Sequence, residues 1–248
     1  MNEQSLAFDF AQWLIVPPGA GTSERLAQLG GACRAITTSL LGYGSTPDTR
    51  PDGNATTQTT DDRHRPHGRP RMLGTVADRT AHALAAARPG ALLVEANPLG
   101  LLRAAGDLRH YAMFEAVTAP YFAAFERGDV EAARGVIDFY GGAGSFDAMP
   151  PKVRAYVVAT TPVNVRDWSS GTPFEPSPQA LRAIGVPTTV VRGGSTHPAM
   201  SQIAELLHAS MPGSRFVTID GGGHFLPSTH AAQVATLVRR QVEAAASA

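Results

Sequence analysis

The stretch Arg215-Phe216-Val217-Thr218-Ile219-Asp220-Gly221-Gly222-Gly223-His224-Phe225-Leu226-Pro227 decides how this chain is read. Apolar and β-branched residues make a short strand, and three consecutive glycines carry it through a tight turn to a single histidine. Upstream, Val186-Pro187-Thr188-Thr189-Val190-Val191 is a second strand, closed by Gly193-Gly194. Between the two, His197 to Met211 has helical spacing and stops at Pro212-Gly213. Ala91-Leu92-Leu93-Val94 is a shorter run that ends at Glu95-Ala96-Asn97-Pro98, and His230 to Ala244 reads as a final amphipathic helix.

The same alternation extends toward the N-terminus. Trp13-Leu14-Ile15-Val16 reads as a buried strand that stops at Pro17-Pro18-Gly19-Ala20-Gly21, and Thr22-Ser23-Glu24 offers a cap for the helix that follows. Arg34-Ala35-Ile36-Thr37-Thr38 is another strand, and Thr75 to Ala87 is helix-compatible up to Arg88-Pro89-Gly90. Strands alternating with helices predict an α/β fold: a mostly parallel sheet with helices on both faces. Residues 99–170 interrupt the alternation with a helical pattern, in which Glu115 to Arg127 and Asp129 to Tyr140 read as helices and Gly141 to Gly144 as a break. Residues 45–71 lose their apolar content and predict an irregular loop. No internal repeat is visible. In sheets of this kind the site lies at the carboxyl ends of the strands, where these glycine-rich loops fall.

Composition narrows the function. Of 248 residues, 43% are apolar and 17% charged, which excludes a wholly disordered chain. Lys+Arg and Asp+Glu are both 21, so the chain lacks the net positive field of a nucleic-acid binder. The one cysteine, Cys33, rules out an internal disulfide and a cysteine-based zinc site and reads as inert core. No apolar run approaches the roughly 20 residues of a membrane span. The polar start Met1-Asn2-Glu3-Gln4-Ser5 is unlike a signal peptide, so the expected location is the cytoplasm. Lys152 is the only lysine beside many arginines, a bias that suggests a GC-rich, bacterial gene. The expected partner is a small-molecule substrate, with no nucleic acid, no membrane, no metal and no organic cofactor; the sequence sets no oligomeric state.

Four segments together resemble the α/β-hydrolase family. Leu14 to Gly21 is similar to the family's first strand-to-loop element, with Pro18 where histidine is usual. Leu40-Leu41-Gly42-Tyr43-Gly44-Ser45-Thr46-Pro47 resembles its Asp-x-Pro-Gly-x-Gly-x-Ser stretch, with Ser39 in place of the aspartate. Ala85 to Gly90, then Leu92 to Pro98, resemble the helix after the nucleophile and the next strand. Pro187 to Gly193 and Phe216 to Pro227 resemble the last two strands, and the second of these is the most specific part. The resemblance implies a hydrolase core over residues 1–99 and 179–248 and a helical cap over residues 100–178.

The chemistry it implies is acyl transfer by a nucleophile, a histidine and an acid. His224 is the expected catalytic base. The loop Arg192-Gly193-Gly194-Ser195-Thr196-His197 contains no carboxylate, so Glu95, immediately after the preceding strand, is the expected acid; Asp220, on the histidine's own loop, is a weaker candidate. Backbone N–H groups at Gly19 and Ala20 would bind the oxyanion. No Gly-x-Ser-x-Gly, Gly-x-Cys-x-Gly or Gly-x-Asp-x-Gly elbow occurs. By spacing, Thr75 falls about where the nucleophile belongs. Three readings stay open: the elbow is lost and the chain is a pseudoenzyme, Thr75 acts, or residues 61–80 depart from the native reading frame. A verified, unbroken frame across codons 61–80 would remove the third.

Other signals have plainer readings. His64-x-x-His67 and the arginines of residues 63–71 fit a solvated loop better than a metal or phosphate site. Gly193-Gly194-Ser195-Thr196 resembles a phosphate-cradling loop only loosely, because no lysine follows. Phe139-Tyr140, Gly144-Ser145-Phe146 and Met149-Pro150-Pro151 read as pocket lining or as core packing of the cap.

Overall fold

The computed structural model describes residues 91–171, 175–185 and 187–246. In chain order these form β1 (Ala91–Val94), α1 (Gly100–Ala104), α2 (Leu108–Glu126), α3 (Arg134–Gly141), α4 (Ser145–Ala148), α5 (Pro151–Gly171) and α6 (Pro178–Arg182). There follow β2 (Thr188–Gly193), α7 (Pro198–Ser210), β3 (Arg215–Ile219), α8 (Leu226–Thr229) and α9 (Ala231–Ala246). The strands and helix read before Ala91, and the irregular loop read at residues 45–71, lie outside the described residues.

The described part is α/β, a three-stranded sheet in the order β1-β2-β3 with many helices. Both pairings are parallel. Ala91 lies opposite Thr188 and Val94 opposite Val191, while Thr189 pairs with Arg215 and Gly193 with Ile219. The second strand begins and ends two residues later than its apolar run suggests. Pro187 has no N–H to donate, although its carbonyl still accepts from Ala91 at 2.9 Å, and pairing with β3 carries the ladder through Gly193.

β2 is buried on both faces, as a central parallel strand must be. Its side chains alternate: Val190 joins a cluster with Met200, Ile203, Ala204 and Leu207 of α7, while Val191 joins Ile219, Leu226, Val234, Ala235 and Val238 on the other side. The α7 positions 199, 200, 203, 204 and 207 make one helical face, so a single amphipathic helix covers one side of the strand. The α9 positions 234, 235 and 238 do the same for the other side. Gln241 of α9 also clasps the start of β2, accepting from the Thr189 hydroxyl at 3.0 Å and donating to the Pro187 carbonyl at 2.9 Å. The helix read from His197 begins one residue later, because His197 is its cap: Nδ1 accepts the Ala199 N–H at 3.2 Å and Pro198 opens the first turn.

Between β1 and β2 the helical pattern of residues 99–170 is borne out, with corrected boundaries. α2 starts at Leu108, seven residues earlier than read, because Asp107 caps it and accepts the His110 N–H at 3.2 Å. The helix read from Asp129 begins instead at Arg134. Gly128 ends α2 at φ +77°, and the Asp129 side chain takes the Glu131 N–H at 2.9 Å, which holds a turn. α3 then ends at Gly141, where Gly142 and Gly144 both have positive φ.

An aromatic group holds this block together. Tyr111, Phe114, Thr118 and Tyr121 form the buried stripe of α2. Phe114 stacks on Trp168 of α5 at 5.2 Å and meets Phe139 of α3 edge-on at 5.8 Å. Tyr121 approaches Trp168 at 5.9 Å and donates its hydroxyl hydrogen to Asn164 at 2.8 Å. Phe114 is fully buried at the centre. Phe114→Ala is therefore expected to cost about 3–5 kcal/mol, measured by reversible denaturant unfolding. A loss below about 1 kcal/mol would mean that this group is not a packed core.

Candidate functional site

The site is built from the residues just beyond the carboxyl ends of the three strands. Glu95 closes the β1 ladder by donating its N–H to the Val191 carbonyl at 2.9 Å. It then turns the chain at φ +48°, unusual for a residue with a Cβ and costing roughly 1–2 kcal/mol. Its side chain, 3% exposed, lies under the ends of β2 and β3.

Gly193 lets the loops after β2 and β3 close over it. A Cβ on Gly193 would be driven into the Gly222 carbonyl, and one on Gly222 into the Leu226 side chain. With no Cβ on Gly193, the two backbones meet directly. Gly194 donates its N–H to the Ile219 carbonyl and Ser195 donates to the Gly222 carbonyl, each at 2.8 Å. The loops are thus joined by backbone bonds, which brings His224 to Glu95 across 129 residues of sequence.

The Glu95 carboxylate accepts three bonds. Oε1 takes the Gly193 N–H at 2.6 Å. Oε2 takes the Thr196 hydroxyl at 2.8 Å and lies 3.1 Å from Nδ1 of His224. A carboxylate only accepts, so Nδ1 carries the proton in this arrangement. Among the described residues no hydrogen bond is made by Nε2, the nitrogen on the other edge of the ring. An imidazole fixed at Nδ1 and open at Nε2 can take a proton from one group and return it to another.

The ring plane of His224 is set from the helical block. Tyr140 of α3 stacks on it with centroids 4.1 Å apart and planes 21° from parallel. The Tyr140 hydroxyl accepts from the Asn97 side-chain amide at 3.0 Å. Burial, aided by the Glu95 charge, pushes the phenol well above its usual range, so it stays neutral. Phe139, next in the same helix, instead meets His197 with the rings tilted and centroids 4.1 Å apart. Phe146 is fully buried beneath the Arg134 guanidinium and serves core packing.

Of the expected residues, the fold joins His224 and Glu95. Asp220 is exposed and makes no such contact. Thr75, Gly19, Ala20, Cys33 and the His64/His67 pair lie outside the described residues. Among the described residues no group of three or more His, Cys, Asp or Glu side chains could hold a metal ion. None of their helices is long and apolar enough to cross a membrane. Sequence reasoning missed the Gly193 N–H and the Thr196 hydroxyl as partners of the acid. The signal lay in Gly193-Gly194-Ser195-Thr196, whose anion-cradling look is met by a carboxylate of the chain itself.

No family model matches this chain, and no curated protein matches it. Among solved structures it is similar to Est816, described as an N-acyl homoserine lactone degrading enzyme, at 21% identity and a TM-score of 0.45. The match covers 66% of this chain, which spans 63% of that protein.

His197 borders the site and carries its own pH dependence. Burial lowers its proton affinity below the ordinary 6.5, and the charge of His110 adds to the effect. The folded state therefore binds this proton less readily than the unfolded chain. The resulting stability is present above the unfolded value and is lost as pH falls toward the folded one. His197→Asn keeps a capping acceptor but removes the titration. The melting temperature of the variant is expected to fall less than that of the wild type on acidification from neutral pH, measured by calorimetry. Equal falls would remove His197 as a source of acid sensitivity.

Proposed function

We propose that this protein is a capped hydrolase of the α/β-hydrolase type, acting on a small ester, amide or related acyl substrate. The single observation that carries the reading is the buried Glu95 carboxylate bound to Nδ1 of His224, beyond the carboxyl ends of β1 and β3, the two parallel strands that flank β2. The proposed core is residues 1–99 and 179–248 and the proposed cap residues 100–178, a division supported by the helical block between β1 and β2.

In this reading Nε2 of His224 takes the proton of the attacking nucleophile and later delivers it to the leaving group. Glu95 keeps the proton of the neutral ring on Nδ1 and offsets the positive charge that the ring gains during attack. Thr75 is the proposed nucleophile, and N–H groups at Gly19 and Ala20 are the proposed oxyanion donors. The absence of a Gly-x-Ser-x-Gly elbow favours a second reading, a catalytically impaired relative that binds a small molecule or partner under the cap.

Hydrolysis of short p-nitrophenyl esters by the wild type, His224→Ala and Glu95→Gln separates the two. The hydrolase reading expects turnover above buffer, with losses of roughly 10²–10⁴ in kcat for either variant. It also expects covalent labelling by an organophosphonate ester that Thr75→Ala abolishes. Wild-type rates equal to buffer across several acyl lengths, with no labelling, would leave the binding reading in its place.

A further inference from the structure

We infer that Thr196 is a positioning residue for the acid: its hydroxyl locks the plane of the Glu95 carboxylate so that Oε2 faces Nδ1 of His224. The inference deepens the hydrolase reading and rests on the Glu95–His224 pair proposed there.

Glutamate brings one more rotatable bond than aspartate to such a position, so its carboxylate needs more than one point of attachment. The Gly193 N–H holds Oε1 at 2.6 Å. That bond alone is a pivot, about which Oε2 can swing away from the histidine. The Thr196 hydroxyl, donating to Oε2 at 2.8 Å, is the second point and removes the swing. Gly193 belongs to the end of β2 and Thr196 to the loop beyond it, so the two donors grip the carboxylate from one short segment, 193–196.

That segment is itself fixed. Its inner residues Gly194 and Ser195 donate backbone N–H groups to Ile219 and Gly222 of the histidine's own strand and loop. The hydroxyl therefore moves with His224. Thr196 is also β-branched, which limits its χ1 choices. The side-chain bond from Thr196 is shorter than the one from His224 to the same oxygen, 2.8 against 3.1 Å. The loop that lacks a carboxylate of its own thus supplies the donors that aim the carboxylate of the neighbouring strand.

The test uses the full-length protein, ¹⁵N-labelled, with the imidazole N–H resonances recorded in water at neutral pH. The His224 signal is assigned by its loss in His224→Gln. The wild type is expected to give a downfield Nδ1–H resonance, and Glu95→Gln to lose it. Thr196→Val, which keeps the shape and removes the donor, is expected to broaden this resonance beyond detection or move it upfield. Thr196→Ser is expected to restore it. With a p-nitrophenyl ester, Thr196→Val should lower kcat about tenfold and leave KM within about twofold, again with rescue by serine. If Glu95→Gln removes the resonance but Thr196→Val leaves it and kcat unchanged, the positioning role is overturned and the Glu95–His224 pair stands. If the resonance is absent in the wild type, or survives in Glu95→Gln, the pair itself fails and the positioning role fails with it.

Discussion

The site depends on one close approach of backbone to backbone. Gly193 sits where a Cβ would enter the Gly222 carbonyl, and the lack of one lets the segments beyond β2 and β3 lie against each other. The Glu95–His224 contact, the two further donors on Glu95 and the stacking of Tyr140 all need that closure. A methyl group at Gly193 would part the loops by more than the slack in a 3.1 Å hydrogen bond. The positive φ at Glu95 belongs to the same economy of space, since it turns the chain so that the side chain enters beneath the loops. Backbone strain of this kind persists only where surrounding contacts over-determine it, and three acceptor bonds do so here.

Behind the closure stands β2, buried on both faces between α7 and α9. It is the middle strand of the three, and it positions Glu95 through the last rung with β1 and His224 through the register with β3. An apolar strand with a helix on each side cannot slip by one residue without exposing Val190 and Val191 to the wrong neighbours. The geometry of the polar groups is therefore held by an apolar register.

Much of this was legible from the residues. β1 and β3 coincide with their apolar runs, and β2 shifts only by the reach of Pro187. His224 stood out because three glycines deliver it from a strand end. Glu95 stood out because the neighbouring loop offers no acid. Helix starts were less legible, because Asp107 and Asp129 look alike in sequence yet one caps a helix and the other holds a turn. Thr196 was invisible as a partner of the acid, since a threonine in a glycine loop is equally at home in water. The Tyr140 stack is a contact between α3 and the loop after β3, and no spacing along the chain encodes it.

That stack has a consequence for modularity. The helical block between β1 and β2 reaches the Glu95–His224 pair: Tyr140 lies flat on His224, and Trp168 of the same block backs Tyr140 edge-on at 6.0 Å. A transplanted block without an aromatic face at this height would leave the imidazole held by the Glu95 bond alone. The block and the sheet thus share one contact at His224, and any recombination that cuts between them must carry Tyr140 across to keep it.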